Sequence, residues 1–432
     1  MRLLFLSNLY PPYGQGGYEE WCQEMATQLR ERGHEIIVLT SRHALERDDN
    51  NDPSWVRREL HLEMELVSLR NGIQFFTHRR QHERENLAIL RSYINRFRPE
   101  GMVVWGMWNI VRSVPILAEA LMPGRVVYYV GDYWPTLPSQ FEFYWKAPAQ
   151  YWYTQLPKAI LGLAANYVLA QETVAKPNFE RVIFPTLFMR NELIKRGMKP
   201  GESMVIYGAA DTTPYLHCHC RGGSNHRAAQ SGKITLLYAG RIRSDKGVHI
   251  AIKALGRLVQ DYGLQNVELL IAGTGDRDYL TFLEYLVRRH RLEKQVTFLG
   301  GQEKEAMPAL YHQADIFLFT SVWQEPFGRV LVEAMAAGVA VVGSTVGGTA
   351  EILRDNETAL TYPAGDAEKL AAQVARLIES PELRQQIATA GKQVALERFD
   401  IQRMAMEIES YLEQIVQQAE GQTAGTPQPV LA

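Results

Sequence analysis

The stretch Glu325-Pro326-Phe327-Gly328-Arg329-Val330-Leu331-Val332-Glu333 decides how the chain is read. It follows a continuous apolar run, Ile316-Phe317-Leu318-Phe319, of the kind that forms a strand buried on both faces. It then opens into an apolar-periodic segment expected to be helical over 328–337. Strand, glycine-bearing loop and helix in that order form the unit of a parallel sheet. Gly328 lets the backbone approach a ligand closely, and the helix that starts near it offers free N–H groups and a positive dipole end. Glu325 and Glu333, with that helix start between them, suit a polyhydroxylated ligand, because carboxylates accept strongly from hydroxyls. A capped surface helix with two incidental acids would carry the same letters.

Outward from this point the pattern repeats. Gly240-Arg241-Ile242-Arg243-Ser244-Asp245-Lys246-Gly247 follows an apolar run at 234–239 and also opens a helix. Two cations, Arg241 and Lys246, in a glycine-bounded loop suit a diphosphate whose negative charge must be neutralised as it leaves. A solvated basic loop is the plainer reading of this motif taken alone. Further strands are expected at 267–272, 295–299 and 340–343, with helices between them and at 366–379, 381–396 and 400–418. The first half alternates in the same way. Strands are expected at 2–6, 35–40, 63–68, 102–105, 126–130, 167–170 and 182–184, and 159–165 reads as a buried helix. The fold class is therefore α/β, with two doubly wound parallel-sheet domains and a cleft between them. Residues 1–207 form the first domain and 208–400 the second, with a polar, glycine-rich insertion at 217–231. A helix at 401–419 is expected to pack back on the first domain, and 420–432 to be a disordered tail.

Composition bounds the function. With 46% hydrophobic and 22% charged residues over 432 positions, the chain is an ordinary globular protein too long for one simple core. A net charge of -2 gives no basic footprint, so nucleic acid is not an expected partner. Three cysteines, Cys22, Cys218 and Cys220, make no disulfide framework and fit a reducing compartment. The short opening Arg2-Leu3-Leu4-Phe5-Leu6 is read as a first strand, not a signal peptide. No apolar run of about 18 uncharged residues occurs to span a bilayer. The location expected is the cytoplasm, with peripheral contact at the inner face of a membrane.

Together, Gly240–Gly247 and Glu325–Glu333 resemble the two signature motifs of the retaining glycosyltransferases of family 4, whose fold, GT-B, consists of two Rossmann-like domains. Pro11-Pro12 with Gly16-Gly17-Tyr18-Glu19 resembles the family's N-terminal glycine loop. Ile271-Ala272-Gly273-Thr274-Gly275-Asp276 resembles its nucleotide-side loop, and Ser344–Glu351 its late Gly-Gly segment. The resemblance covers roughly 1–400. It implies transfer of a hexose-type group from a nucleoside-diphosphate sugar, a UDP- or GDP-sugar, to a hydroxyl acceptor held by the first domain. It further implies retention of configuration with no metal or other cofactor. Catalytic roles fall to Glu325, Asp132, Arg241 and Lys246. Donor binding falls to Gly16, Gly17, Arg241, Lys246, Gly273, Gly275, Glu325, Phe327, Gly328 and Glu333. One departure is plain: Gly131-Asp132 stands where the family often has His-Asp, so a side chain that would meet the donor sugar is missing. The rival readings are a sugar-nucleotide epimerase or phosphorylase on the same scaffold, and a non-catalytic nucleotide-sugar-binding protein.

Weaker signals favour plain readings. The spacing of Gly14-Gln15-Gly16-Gly17 is wrong for a dinucleotide loop. Asp276-Arg277-Asp278 opens a helix, where acids favour the dipole without any metal. His217-Cys218-His219-Cys220 with His226 lacks the spacing that wraps one zinc ion. The aromatic run 133–153 reads either as a lid or as an acceptor or membrane-interface surface. Arg80, Arg84 and Arg91 share one helix face, near Arg79, but Glu83 and Glu85 are interleaved, so a solvated face is the plainer reading.

Overall fold

The structure, a computed structural model, describes residues 1–14, 16–43, 52–65, 71–149, 152–171, 176–216 and 232–424. The insertion at 217–231, with its His and Cys residues, lies outside the described residues, as does 425–432. The chain divides into two units. The first comprises Met1–Pro185, Met189–Ile206 and the chain from Ala405 onward; the second comprises Thr186–Phe188 and Tyr207–Met404.

Unit 1 holds β1 (Arg2–Leu6), α1 (Gly17–Glu31), β2 (Glu35–Ser41), β3 (Val56–Leu60), α2 (Asn71–Thr77), α3 (Arg79–Phe97), β4 (Gly101–Val104), α4 (Ser113–Leu121), β5 (Val126–Tyr129), α5 (Gln140–Lys146), α6 (Gln155–Gln171), β6 (Arg181–Phe184), α7 (Leu187–Lys195, whose first two residues fall in unit 2) and β7 (Glu202–Val205). Its seven strands run in the order β3-β2-β1-β4-β5-β6-β7, and every pairing is parallel. Leu3, Leu4, Phe5 and Leu6 of β1 are fully buried, as a central strand covered on both faces requires. The C-terminal helix, Ile401–Ala424, is tied to this unit beyond Ala405: Glu409 meets Arg32 Nε at 2.5 Å and His34 Nε2 at 2.6 Å, and the Tyr411 hydroxyl donates to Glu202.

Unit 2 opens with α8 (Thr213–Leu216) and holds β8 (Ile234–Ala239), β9 (Val267–Ala272), β10 (Val296–Gly300), β11 (Ile316–Phe319), β12 (Ala340–Ser344) and β13 (Leu360–Tyr362). They form a parallel sheet in the order β10-β9-β8-β11-β12-β13. Helices Val248–Gln260, Ala367–Glu379 and Pro381–Arg398 cover it. In both sheets the order reverses beside the first strand, between β1 and β4 and between β8 and β11. Ligands of such sheets sit beyond the carboxyl ends at that reversal.

Three expectations fail locally. The strand expected at 63–68 is found instead at Val56–Leu60. The segment 167–170, expected as a strand, is the last turn of α6, because its alanine- and leucine-rich composition supports a helix as well as a strand. The helix expected to be buried over 159–165 exposes nearly every side chain; only Gly162 and Ala165 are buried in it. Strands β7 and β13 carry too few residues to show a period.

Candidate active site

Four neighbouring strands of unit 2 send their loops to one place. The loop after β8 carries Arg241 and Lys246, and the loop after β11 carries Glu325. The Lys246 ammonium donates to Glu325 Oε1, which also accepts from Ser321 Oγ at 2.7 Å. Both charged side chains are largely shielded from water, which strengthens their attraction relative to a surface pair. The two loops are stitched by backbone as well. Thr320 Oγ1 donates to the Lys246 carbonyl at 2.9 Å, and Val322 N donates to the Asp245 carbonyl at 2.9 Å. A Cβ at Gly247 would stand 2.0 Å from the Thr320 carbonyl oxygen, and its φ of +70° is left-handed, so glycine is required on both counts. From β12, Gly348 N donates to the Glu325 carbonyl at 2.7 Å. From β9, Thr274 O accepts from Ile242 N at 2.7 Å, and Cβ atoms at Gly273 and Gly275 would each lie 1.9 Å from a carbonyl oxygen of the β8 loop.

The remaining residues of this unit frame the same loops. Arg241 stands exposed; its carbonyl takes the hydroxyl of Tyr238 at 2.8 Å, and burial holds that phenol far above its ordinary range. Phe327 is buried edge-on against Phe399, 5.7 Å between centroids. Gly328, at φ +106°, caps the helix Arg329–Ala336, whose first N–H groups take no side-chain cap. Glu333, one turn into that helix, accepts from Arg329 Nε at 3.3 Å and from the Tyr311 hydroxyl at 3.1 Å. Asp276 caps the helix Arg277–Arg289 without a side-chain hydrogen bond. Among the described residues no three of His, Cys, Asp and Glu gather where they could hold a metal ion.

In unit 1 the first-strand loop places Gly16 as the cap of α1 and Gly17 as its first residue. Asp132 lies beyond β5. Its Oδ1 accepts from Trp134 N at 3.0 Å, and burial raises its carboxyl to about 6, opposed by that hydrogen bond and by Arg112. Arg112 donates to the Met107 and Trp134 carbonyls at 3.0 and 2.8 Å and lies 4.7 Å from the Trp134 ring centroid. Glu63, which accepts from Gln140 N at 2.8 Å, is raised to about 7, mainly by burial. A cavity of about 460 Å³ opens beside it, lined by Asn71, Trp108, Asn109, Gln140, Trp145 and Lys158 among others.

Comparison with known proteins now decides the family. The family described as Glycosyltransferase Family 4 matches residues 15–213, and that described as Glycosyl transferases group 1 matches 224–394. The chain belongs to the family 4 glycosyltransferases. It is 27% identical over 407 residues to the glycogen synthase of Mycobacterium tuberculosis, covering 94% of this chain and 92% of that one. A phosphatidyl-myo-inositol mannosyltransferase of Mycobacterium leprae is 33% identical over 175 residues, 40% of this chain and 45% of its own. Its fold is GT-B: the crystal structure of Anabaena HepE in complex with UDP and glucose superposes with a TM-score of 0.66 at 21% identity, over 95% of this chain and 99% of that one.

Within this glycosyltransferase the structure also explains the family residue that is missing. A Cβ at Gly131 would stand 2.8 Å from the ring of Tyr18, whose hydroxyl donates to the Tyr129 carbonyl. The ring also presses on Gly106 beside Asn8, whose wholly buried amide has no hydrogen-bond partner among the described residues. Tyr18 thus fills the space a histidine at 131 would need. Tyr18 was legible only as part of the glycine loop; nothing local links residue 18 to residue 131. Tyr311, Arg112 and Glu63 were likewise invisible as site partners, because each reaches its partner through the fold, whereas Arg329 lies four residues before Glu333 within the motif itself.

Proposed function

We propose that this glycosyltransferase moves a hexose-type group from a nucleoside-diphosphate sugar, with a UDP-sugar as the first candidate and a GDP-sugar as the second, to a hydroxyl acceptor. The anomeric configuration is retained, and no metal or other cofactor takes part. The observation that carries the reading is the shielded Lys246–Glu325 pair at the reversal of the unit 2 sheet. Lys246, with Arg241, supplies fixed positive charge where a diphosphate leaving group gains negative charge. Glu325 accepts from hydroxyls of the sugar, steadied by Ser321. Gly328 and the following N–H groups receive the ligand's oxygens. Glu333 takes the ribose hydroxyls, and the base lies by the β9 loop, which Gly273 and Gly275 let close against the β8 loop. The leaving phosphate accepts the proton of the attacking hydroxyl on the same face, which yields retention. Unit 1 takes the acceptor, with its mixed polar and aromatic cavity as the candidate and Asp132 as the polar group nearest in kind to the family's. The UDP and glucose bound to HepE, and the glycogen and the mannosyl group in the names of the two relatives, support this reading by likeness.

The test is thermal unfolding with saturating UDP, GDP, ADP and TDP in parallel, followed by donor hydrolysis on a panel of sugars carried by the nucleotide that binds. Ligand at about 1,000 times its Kd adds roughly 4 kcal/mol to stability. A shift with one nucleotide and an axial product from an axial donor support the proposal, and activity should survive EDTA. No shift with any of the four, or an inverted product, would overturn it.

A further inference from the structure

At the carboxyl ends of β1, β2 and β4, unit 1 buries polar side chains that meet no partner. Asn8, two residues past β1, is wholly buried, and neither its Oδ1 nor its Nδ2 has a hydrogen bond among the described residues. The same holds for Ser41 Oγ at the end of β2 and for Trp105 Nε1 just past β4. The ladder brings these strand ends side by side. Ser7 N donates to the Leu39 carbonyl at 3.2 Å, Trp105 N to the Leu6 carbonyl at 2.8 Å and Asn8 N to the Gly106 carbonyl at 2.8 Å. Burying an amide without a partner is costly, and a folded unit keeps such a group where something else comes to meet it. The strand order reverses here, between β1 and β4, and ligands of parallel sheets lie beyond the carboxyl ends at that reversal.

One side chain covers the spot. The Tyr18 ring edge and Asn8 Oδ1 each lie 3.0 Å from the point that a Cβ at Gly106 would take. The opposite edge of the ring lies 2.8 Å from the corresponding point at Gly131. Tyr18 therefore fills a slot between two glycines, with the amide beside it. Trp105 and Tyr129 wall the slot, their ring centroids 6.1 and 6.4 Å from that of Tyr18. Tyr18 itself is only half-buried, and its hydroxyl is latched to the Tyr129 carbonyl by one hydrogen bond. The slot shares no lining residue with the cavity beside Glu63.

The chemistry of the slot selects its occupant. An amide offers two donors and an acceptor in one plane, which complements two neighbouring hydroxyls. The aromatic walls cover apolar C–H surface. Asp132, next to Gly131, is the charge that the Tyr18 hydroxyl feels most strongly, and a carboxylate accepts from hydroxyls while repelling anions. We propose that Tyr18 is a gate over a neutral-sugar subsite of unit 1: when its ring swings off Gly106 and Gly131, the slot takes a sugar ring whose neighbouring hydroxyls bond to the Asn8 amide. The inference rests on the reading that unit 1 takes the hydroxyl acceptor, and it specifies that acceptor as a carbohydrate.

The full chain is titrated with glucose, galactose, mannose and xylose as probes, and binding is followed by saturation-transfer NMR. Tyr18→Phe keeps the ring and loses the latch, so the closed state weakens by one neutral hydrogen bond. The sugar that binds wild type should then bind about fivefold more tightly. Asn8→Leu should bind it about tenfold less tightly or worse, yet melt no lower than wild type, because the amide it removes has no partner to lose. No binding of any of the four sugars by wild type or by Tyr18→Phe would overturn the proposal. So would unchanged or weaker binding by Tyr18→Phe, as a tyrosine that only packs the core requires, or a lower midpoint with Asn8→Leu, since the amide would then be structural. Binding that survives Asn8→Leu would overturn it as well, and its loss in Glu325→Gln would place the sugar in unit 2. A sugar that binds through Asn8 but accepts no transferred group would leave the gated subsite standing and count against the acceptor reading alone.

Discussion

Replacing Gly275 by alanine tests whether the β9 and β8 loops of unit 2 are locked back to back. Gly275 is not in the left-handed backbone region, so alanine carries no conformational strain of its own there. Its Cβ, however, would stand 1.9 Å from the Ile242 carbonyl oxygen and 2.7 Å from Ile242 Cβ. Restoring ordinary contact at 3.4 Å needs the loops to part by about 1.5 Å. That separation breaks the 2.7 Å bond from Ile242 N to Thr274 O and strains the 3.0 Å bond from Gly240 N to Ala272 O. Two buried backbone bonds at about 1 kcal/mol each, plus overpacking, make a loss of about 2–4 kcal/mol. For a unit of this size the unfolding midpoint falls by roughly 5–12 °C. Calorimetry should show that drop, and the stabilisation by the bound nucleotide should shrink, because Arg241 and Lys246 ride on the displaced loop. Gly421→Ala is the control, since nothing lies within 4 Å of its Cβ and it sits in a helix. A Gly275→Ala protein melting within about 1 °C of wild type would refute the reasoning.

Other outcomes follow from the same structure. Gly421→Ala should raise stability by about 0.5 kcal/mol through its helix preference, read by urea unfolding. Glu325→Gln and Lys246→Met should each abolish transfer and each cost about 2 kcal/mol, because either leaves a shielded charge without its partner. The double variant should cost clearly less than the two together, which a double-mutant cycle measures. Glu63, ordinarily at 4.5, is raised to about 7. Its protonated form therefore contributes stability that is full below 4.5 and is lost as pH rises through 7. Glu63→Gln should accordingly be about 2 kcal/mol more stable than wild type near pH 8, with the gain gone near pH 4.5, as followed by chemical unfolding at both values.

Much of this protein is written locally. The runs at 3–6, 236–239 and 316–319 are buried strands because each is continuously apolar, and Gly240 directly follows the second where the chain turns into a loop. The positions of Arg241, Lys246, Glu325 and Gly328 after those strands place them at carboxyl ends in any parallel sheet. Local reading stops where side chains meet across the sheet. Lys246 and Glu325 are 79 residues apart in sequence, and only the β8–β11 neighbourhood joins them. Tyr18 fills the place beside Gly131 because β1 and β5 flank β4, an order set by sheet assembly and not by any motif. The inverted mounting of α6 is the clearest case. Its sequence is apolar from Ala159 to Ala165 without a break, so periodicity gives no face there and composition suggests burial. The tertiary structure decides otherwise: Gly162 and Ala165 are the residues of the helix that it buries, against Trp145 and the core around Phe75.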